Sequence, residues 1–599
     1  MQKTGIVNVA SYLKPHVQMS VLLRQSLSRL TPLSAVSCTH LQQLHSQQPS
    51  VDLCTLTKTS AEQQGRLPVV PVFRQALSFP AESIAVRDAY GEYTYRGLFL
   101  SSRQLADQLT DSFAGRHGER VAFLAGNEAT YLIIQWACWM SGQTAVPLSS
   151  VHPPQLLEYF ISDSDAGVVV ATTEHADTLR KAAGDKRKFI VLDSTLRTLS
   201  SRKADQLGSE NVTLPEEAHE LKGGGQEPEF YDDNDALFIY TSGTTGPPKG
   251  VVLTYRNLDA QAQSLIKAWE WSSKDSILHT LPLHHIHGVV NALLCPLLVG
   301  ARVVMLPKFD APTVWAKLLA LNTVAAERVN IFMGVPTMYV KLIQEYDHAF
   351  GNNERMKEYI HSVCSQKIRL MVSGSAPLPA PIMERWEEIT GHRLLERYGM
   401  SETGMILSNP LHGERKPGSV GHPLPGVTVR LSDSGEVQVK GDNVFSRYWN
   451  RPQATAKEFT EDGWFKTGDT AVVEDGYYRL LGRTSVDVIK TGGYKVGAVD
   501  IEAKLLAHPA LADVAVLGVE DPTWGQRVVA VVVPEENKTV PTLAELREWA
   551  KGHMAPYAIP TQLKVIEQLP RNAMGKVNKK DLIKQLFPSK STGTAAAAK

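Results

Sequence analysis

The chain has little of what builds a disulfide framework or a zinc site. Cys38, Cys54, Cys138, Cys295 and Cys364 are scattered over 599 residues with no CxxC spacing and no metal-spaced histidine, a pattern of free, packing thiols in a reducing compartment. A charge excess is also missing, since 62 Lys and Arg stand against 62 Asp and Glu. That balance excludes the broad basic surface of a nucleic-acid binder and the basic cluster of a membrane-surface protein, so charged ligands must be handled locally. Nor is there a long apolar run. The most apolar window, 288–306, is interrupted by Asn291, Pro296, Gly300 and Arg302, which predicts a buried helix followed by a strand rather than a membrane span of about 20 residues. There is no internal repeat.

Acidic residues are absent before Asp52, where Lys3, Lys14, Arg24 and Arg29 alternate with Ser, Thr, Gln and leucines. A basic, Ser-rich, acid-free start of this kind reads as a mitochondrial transit peptide over 1–51, which places the protein in the mitochondrial matrix and leaves the mature chain slightly acidic. Residues 586–599 read as a disordered tail without a peroxisomal ending.

Between these ends, short β-branched runs alternate with amphipathic patterns: 120–125 before 128–139, 167–172 before 176–183, and 368–373 before 380–390. Near-continuous apolar strands followed by helices predict buried, largely parallel sheets in an α/β fold. The expected organisation is a large N-terminal domain of layered α and β elements over 65–482 and a small, mobile C-terminal α+β domain over 483–585. In the latter, 501–506 and 542–551 read as helices, and 514–519, 528–533 and 563–569 as strands. The stretch 200–235 reads as an exposed loop.

The strand 236–240 runs into Thr241, Ser242, Gly243, Thr244, Thr245, Gly246, Pro247, Pro248, Lys249 and Gly250, and a second strand follows at once. Clustered hydroxyls and glycines let N–H and O–H groups approach phosphate oxygens, and Lys249 adds a point charge. This is a phosphate-cradling loop but not a Walker A loop, because Gly250 follows the lysine and the next element is a strand.

The loop resembles the signature of the adenylate-forming superfamily, which comprises acyl-CoA synthetases, luciferases and the adenylation domains of peptide synthetases. The resemblance spans about residues 70–585 and recurs in order at Tyr398–Thr403, Gly463–Asp469, Gly482–Gly493 and Pro570–Lys576. It implies ATP as the nucleotide, Mg²⁺ held by Thr245 and Glu402, ribose hydroxyls on Asp469, Arg483 at the ribose and phosphates, and adenine along Tyr398 and Gly399. It further implies that Lys576 bridges the attacking carboxylate and the α-phosphate, where charge is shared only in the transition state. Ser485 falls at the hinge, where many relatives carry Asp or Lys, and Gly492 and Gly493 would line the passage of the CoA thiol.

For the acid, His285 and His287 in Leu281–Gly288 match the element that guards the acyl pocket, His285 being the catalytic candidate. Ser373, Gly374, Ser375 and Met400 would form further wall. Arg369 and Arg397 flank this neighbourhood. A dicarboxylate needs a second cationic anchor because burying its distal carboxylate unpaired costs several kcal/mol, and the bidentate fork of arginine suits that task. The sequence leaves open which arginine serves. The run Leu395–Thr403 and its continuation through Ser408–Pro410 and Gly418–Gly421 resembles the malonyl-CoA synthetase branch, with the transit-like start implying its mitochondrial form. The reading is an ATP-dependent acid–thiol ligase with free CoA as acceptor, since too little chain follows Lys576 for a carrier domain. Its partners are small molecules, with no nucleic acid and no stable membrane insertion. A medium-chain or aromatic acid–CoA ligase and a nucleotide-binding scaffold without catalysis are the competing readings.

Overall fold

Along the central strands successive apolar residues face opposite sides, and each side finds its own helices. In the computed structural model, which describes residues 68–192, 196, 225–241, 247–321, 328–571 and 577–588, the strands Ser276–His279, Arg302–Met305, Ile331–Gly334 and Leu370–Ser373 run parallel within a nine-stranded sheet. Ile277, Val303, Ile331 and Leu370 enter one core, whereas Leu278, Val304, Phe332 and Met371 enter another. The second core is covered by the helices Ala311–Leu318, Pro336–Phe350, Glu354–Lys367 and Ala380–Thr390.

A seven-stranded sheet repeats the logic. Arg120–Leu124, Thr144–Pro147, Ala166–Thr172, Lys188–Leu192 and Asp235–Thr241 are parallel, while Lys249–Thr254 and Arg447–Tyr448 join antiparallel at one edge. Val121 and Phe123 share the first core with the nine-stranded sheet, and Ala122 and Leu124 face the helices Pro154–Asp163 and Ala176–Ala183. The helix Ala129–Met140 is buried along its whole length and contributes to the core common to both sheets, which is why its sequence is apolar all round. The large domain is thus layered α–β–α–β–α. A four-stranded antiparallel sheet, Thr428–Leu431, Glu436–Lys440, Phe465–Glu474 and Tyr477–Arg483, follows.

The small domain is built on the long hairpin Leu511–Asp521 and Gly525–Pro534, joined by Val488–Thr491, Tyr494–Gly497 and Gln562–Val565. One face packs on the helices Ala498–Leu505 and Leu543–Lys551, the other on Lys579–Leu586.

The α/β class and the two-part layout match the sequence expectation. So does the apolar window, which is a π-helix over His287–Leu294, a helical turn over Cys295–Leu298 and the strand Arg302–Met305. Among the described residues no helix is long and apolar enough to cross a membrane. The transit segment 1–51, most of the loop expected over 200–235 and the end of the tail lie outside the described residues.

Candidate active site

Ligand crevices of open α/β sheets form beyond the carboxyl ends of the strands. At that edge of the nine-stranded sheet lie the segment from Thr280 to Gly288, Gly334, Ser373 to Ser375, and the strand Leu395–Met400. Gly399 is required where this strand meets Gly404–Ser408, because a Cβ there would come within 2.2 Å of the Gly404 carbonyl oxygen.

Asp469 and Arg483 are register partners in the ladder between Phe465–Glu474 and Tyr477–Arg483. Arg483 Nε lies 3.1 Å from Asp469 Oδ1, and Arg483 Nη1 donates to the Thr467 carbonyl at 2.6 Å. The Tyr398 hydroxyl donates to Asp469 Oδ2. Tyr398, Asp469 and Arg483 therefore form one connected polar group.

Glu402 is buried and accepts a 2.8 Å hydrogen bond at Oε1 from the Tyr448 hydroxyl, while its carbonyl accepts from Phe445 N–H at 2.7 Å. Burial raises its carboxyl above the ordinary range. The same Tyr448 ring carries Lys249 Nζ 4.4 Å from its centroid, with Glu458 3.9 Å from that ammonium. Thr241 pairs with Lys249 across the hairpin, and the Pro248 carbonyl accepts from the Tyr159 hydroxyl at 2.7 Å, which fixes both ends of the loop between them. Tyr448, which no motif in the sequence singles out, joins that loop to Glu402.

A second polar group lies beside the first. Arg397 is 3% exposed, and its guanidinium packs over Gly374 so closely that a Cβ on the glycine would lie 2.5 Å from Cζ. Its Nε and Nη2 meet no hydrogen-bond acceptor among the described residues. Burial lowers the guanidinium below its usual value, with Glu396 and Tyr339 opposing. His287, also buried, has its Nδ1 3.3 Å from the Ser375 hydroxyl and, among the described residues, no partner for Nε2. Burial and then the Arg397 charge push its imidazole well below 6.5, so the ring is neutral. Ser375 holds φ +68, a left-handed conformation costly for a residue with a Cβ, and strain of this kind gathers at binding sites. Ser373 Oγ and both ends of the Asn291 carboxamide, on the same π-helix as His287, are likewise buried without partners among the described residues. An orphaned buried polar group costs roughly 1–3 kcal/mol, more when charged, so these unsatisfied groups near the Arg397 cation are costly to keep unless something meets them.

A sequence profile of the AMP-binding enzyme family matches residues 72–449, and a profile described as the AMP-binding enzyme C-terminal domain matches 500–576. The chain belongs to the AMP-binding enzyme family. It is similar to the mitochondrial malonate–CoA ligase ACSF3 of Bos taurus, with 47% identity over 559 residues covering 86% of this chain and 90% of that protein. It is similar also to a malonate–CoA ligase of Arabidopsis thaliana, at 41% identity over 88% of this chain and 90% of that one. Among solved structures, the ATP-bound MatB of Rhodopseudomonas palustris superposes with a TM-score of 0.72 at 30% identity, covering 87% of this chain and 99% of that one.

The architecture of this AMP-binding enzyme separates the two arginines left open by the sequence. Arg369 precedes the strand Leu370–Ser373 and lies at the opposite edge of the sheet, where it donates to both oxygens of Asp275 at 2.6 and 2.8 Å and to the Trp269 carbonyl at 2.9 Å. The expectation that Arg369 lines the acyl site is corrected, because strand polarity carries it away and its donors are committed. His285 stays half-buried, its ring centroid 4.1 Å from that of His284, and Met400 pairs with Gly404 at the strand end.

At the domain junction of this AMP-binding enzyme, Thr484 N–H donates to Gly468 of the large domain at 2.9 Å, whereas the Asp487 carbonyl accepts from Ala498 of the small domain at 2.7 Å. Ser485 and Val486 are the residues between. Gly492 and Gly493 connect Val488–Thr491 to Tyr494–Gly497 with φ +55 and +85, a two-residue hairpin turn that only glycine enters easily, and the Trp524 ring covers Gly492. Ser242, Gly243, Thr244, Thr245, Gly246 and Lys576 lie outside the described residues.

Proposed function

We propose that this AMP-forming acyl-CoA synthetase activates malonate with ATP, releases pyrophosphate, and passes the malonyl group to CoA in the mitochondrial matrix. The observation that carries the choice of acid is the buried, uncommitted Arg397 fork beside neutral His287. A fatty or aromatic acid would leave that cation unpaired, whereas the distal carboxylate of malonate accepts from it. The malonate–CoA ligases among the relatives support the same substrate, and the mitochondrial ones, with the acid-free first 51 residues, support the compartment.

In this reading the second carboxylate of malonate attacks the α-phosphate. A C–O–P mixed anhydride forms as the bond to pyrophosphate breaks, and repulsion between the anions is offset by placed cations. Asp469, held by the Tyr398 hydroxyl, takes the ribose hydroxyls, Arg483 reaches the ribose and phosphates, adenine lies along Tyr398 and Gly399, and the loop Thr241–Lys249 cradles the phosphates. Lys576 stabilises the attack. His285 guards the passage to the acyl pocket, and the thiolate of CoA, entering past Gly492 and Gly493, displaces AMP from the acyl carbon. Glu402 fits Mg²⁺, since it is a buried oxygen donor whose carboxyl is held high by burial and, less, by the Glu458 charge, and with Thr245 it would hold the ion. The ion, when bound, neutralises phosphate charge.

Pyrophosphate release measured over malonate, methylmalonate, benzoate and octanoate tests the reading. Malonate should give the highest kcat/KM. A preference for octanoate would overturn the choice of acid, and the absence of any ATP-dependent thioester would overturn the enzyme.

A further inference from the structure

The small domain contains an ion cluster that neither nucleotide nor acid needs. Lys579 Nζ lies 2.5 Å from Asp487 Oδ1 and 2.6 Å from Glu502 Oε1, and all three side chains are mostly buried. Each contact reaches a different element. Asp487 closes the junction turn, its Oδ2 accepting from Arg483 N–H at 3.0 Å and its own N–H donating to the Arg483 carbonyl at 2.7 Å. Glu502 belongs to the helix Ala498–Leu505 and also accepts from Val516 N–H at 2.7 Å. Lys579 is the first residue of the helix Lys579–Leu586, three positions after Lys576.

Nothing about helix stability asks for a lysine there. A cation in the first turn opposes the helix macrodipole, and exchanging a buried ion cluster for apolar packing is often neutral or stabilising. What the cluster does provide is a fixed geometry between the junction and the chain leading out of the lysine segment. The flanks of that segment are fixed too, for Arg571 and Val577 form an antiparallel bridge and Arg571 Nη2 donates to Asp513 at 2.6 Å.

We infer that Lys579 is a positioning residue: it locks the junction turn at Asp487 to the helix that follows Lys576, so that the orientation set beside Arg483 fixes where Lys576 is delivered. The inference rests on the proposed ligase reading, and it adds a determinant of the first half-reaction that makes no contact with substrate.

The test uses the full chain and separates the half-reactions. In Lys579→Met, malonate-dependent ATP–pyrophosphate exchange should fall about 100-fold in kcat with KM for ATP and malonate within about threefold of wild type. Thioester formation from synthetic malonyl-AMP and CoA should stay within about threefold, and Lys579→Arg should restore exchange to within about fivefold. Equal losses in both half-reactions, or full exchange in a folded Lys579→Met, would overturn the inference. Should Lys579→Met not fold, the same split is read on Asp487→Asn, where equal losses or none are again decisive against it. Failure of wild-type enzyme to exchange with malonate would instead sink the underlying ligase reading.

Discussion

The guanidinium of Arg397 rests on the missing side chain of Gly374, with 2.5 Å between its Cζ and the place a Cβ would occupy. The glycine belongs to the turn after Leu370–Ser373 and the arginine to the neighbouring parallel strand Leu395–Met400, so two adjacent strand ends fit together at one point.

Arg397→Ala should lower kcat/KM for malonate by about 100- to 1,000-fold, the size expected when a buried charge partner is removed, while KM for ATP stays near wild type. Pyrophosphate release at varied malonate and at varied ATP gives both numbers. An unchanged malonate kcat/KM would remove Arg397 from the acid site. Gly374→Ala should reproduce the malonate defect in milder form by pushing the fork aside.

Arg369→Ala gives the contrasting outcome. Its loss strands Asp275, a buried carboxylate, so thermal stability should drop by about 2–4 kcal/mol with little change in malonate KM for the folded fraction. Thermal melts run beside the kinetics distinguish the two arginines.

Glu396 is buried, its Oε1 accepting from Leu378 N–H at 2.9 Å, and burial pushes its carboxyl up to about 8. The folded chain therefore holds a proton there that the unfolded chain gives up near its ordinary 4.5. Between those two values the folded state binds more protons, so this group's contribution to stability is greatest at low pH and declines as pH rises, by at most about 1.4 kcal/mol per unit. Glu396→Gln should flatten the fall of unfolding free energy between pH 5 and about 8. A slope in the variant as steep as in wild type would show that another group sets the dependence.

Lys576→Ala should abolish adenylate formation and spare thioester formation from synthetic malonyl-AMP. Loss of the second half-reaction in a folded variant would remove the lysine from its assigned step. Tyr398→Phe should raise KM for ATP by about three- to tenfold, the net worth of one ordinary hydrogen bond, without altering malonate KM.

The ordered motifs made the fold and the grouping of Tyr398, Asp469 and Arg483 legible, because short segments such as Tyr398–Glu402 or Gly468–Asp469 carry fixed residue types at fixed spacing. The choice between Arg369 and Arg397 was not settled by composition, since both flank the same apolar strands. Strand polarity sets them apart: in a parallel sheet the carboxyl end faces the crevice, and Arg369 stands at the start of its strand. The helix Lys579–Leu586 escaped notice because Leu582 is its one buried residue, too sparse an apolar stripe to register a helical period. Val488–Thr491 and Tyr494–Gly497 read as a motif around two glycines, and only their paired positive φ values reveal a hairpin. Tyr448 gave no signal at all, for its role arises where two distant segments meet.

The junction has one further consequence. With Thr484 bound to Gly468, Val486 and Asp487 N–H both bound back to the Arg483 carbonyl, and the Asp487 carbonyl taking Ala498, the link between the two bodies is one closed turn around Ser485 and Val486. A link that short would span only about 7 Å even with its two central residues stretched, so it leaves no room for translation. The small domain is thus geared to the large one like a key in a lock barrel: an added residue would let it wander, and a deleted one would jam it.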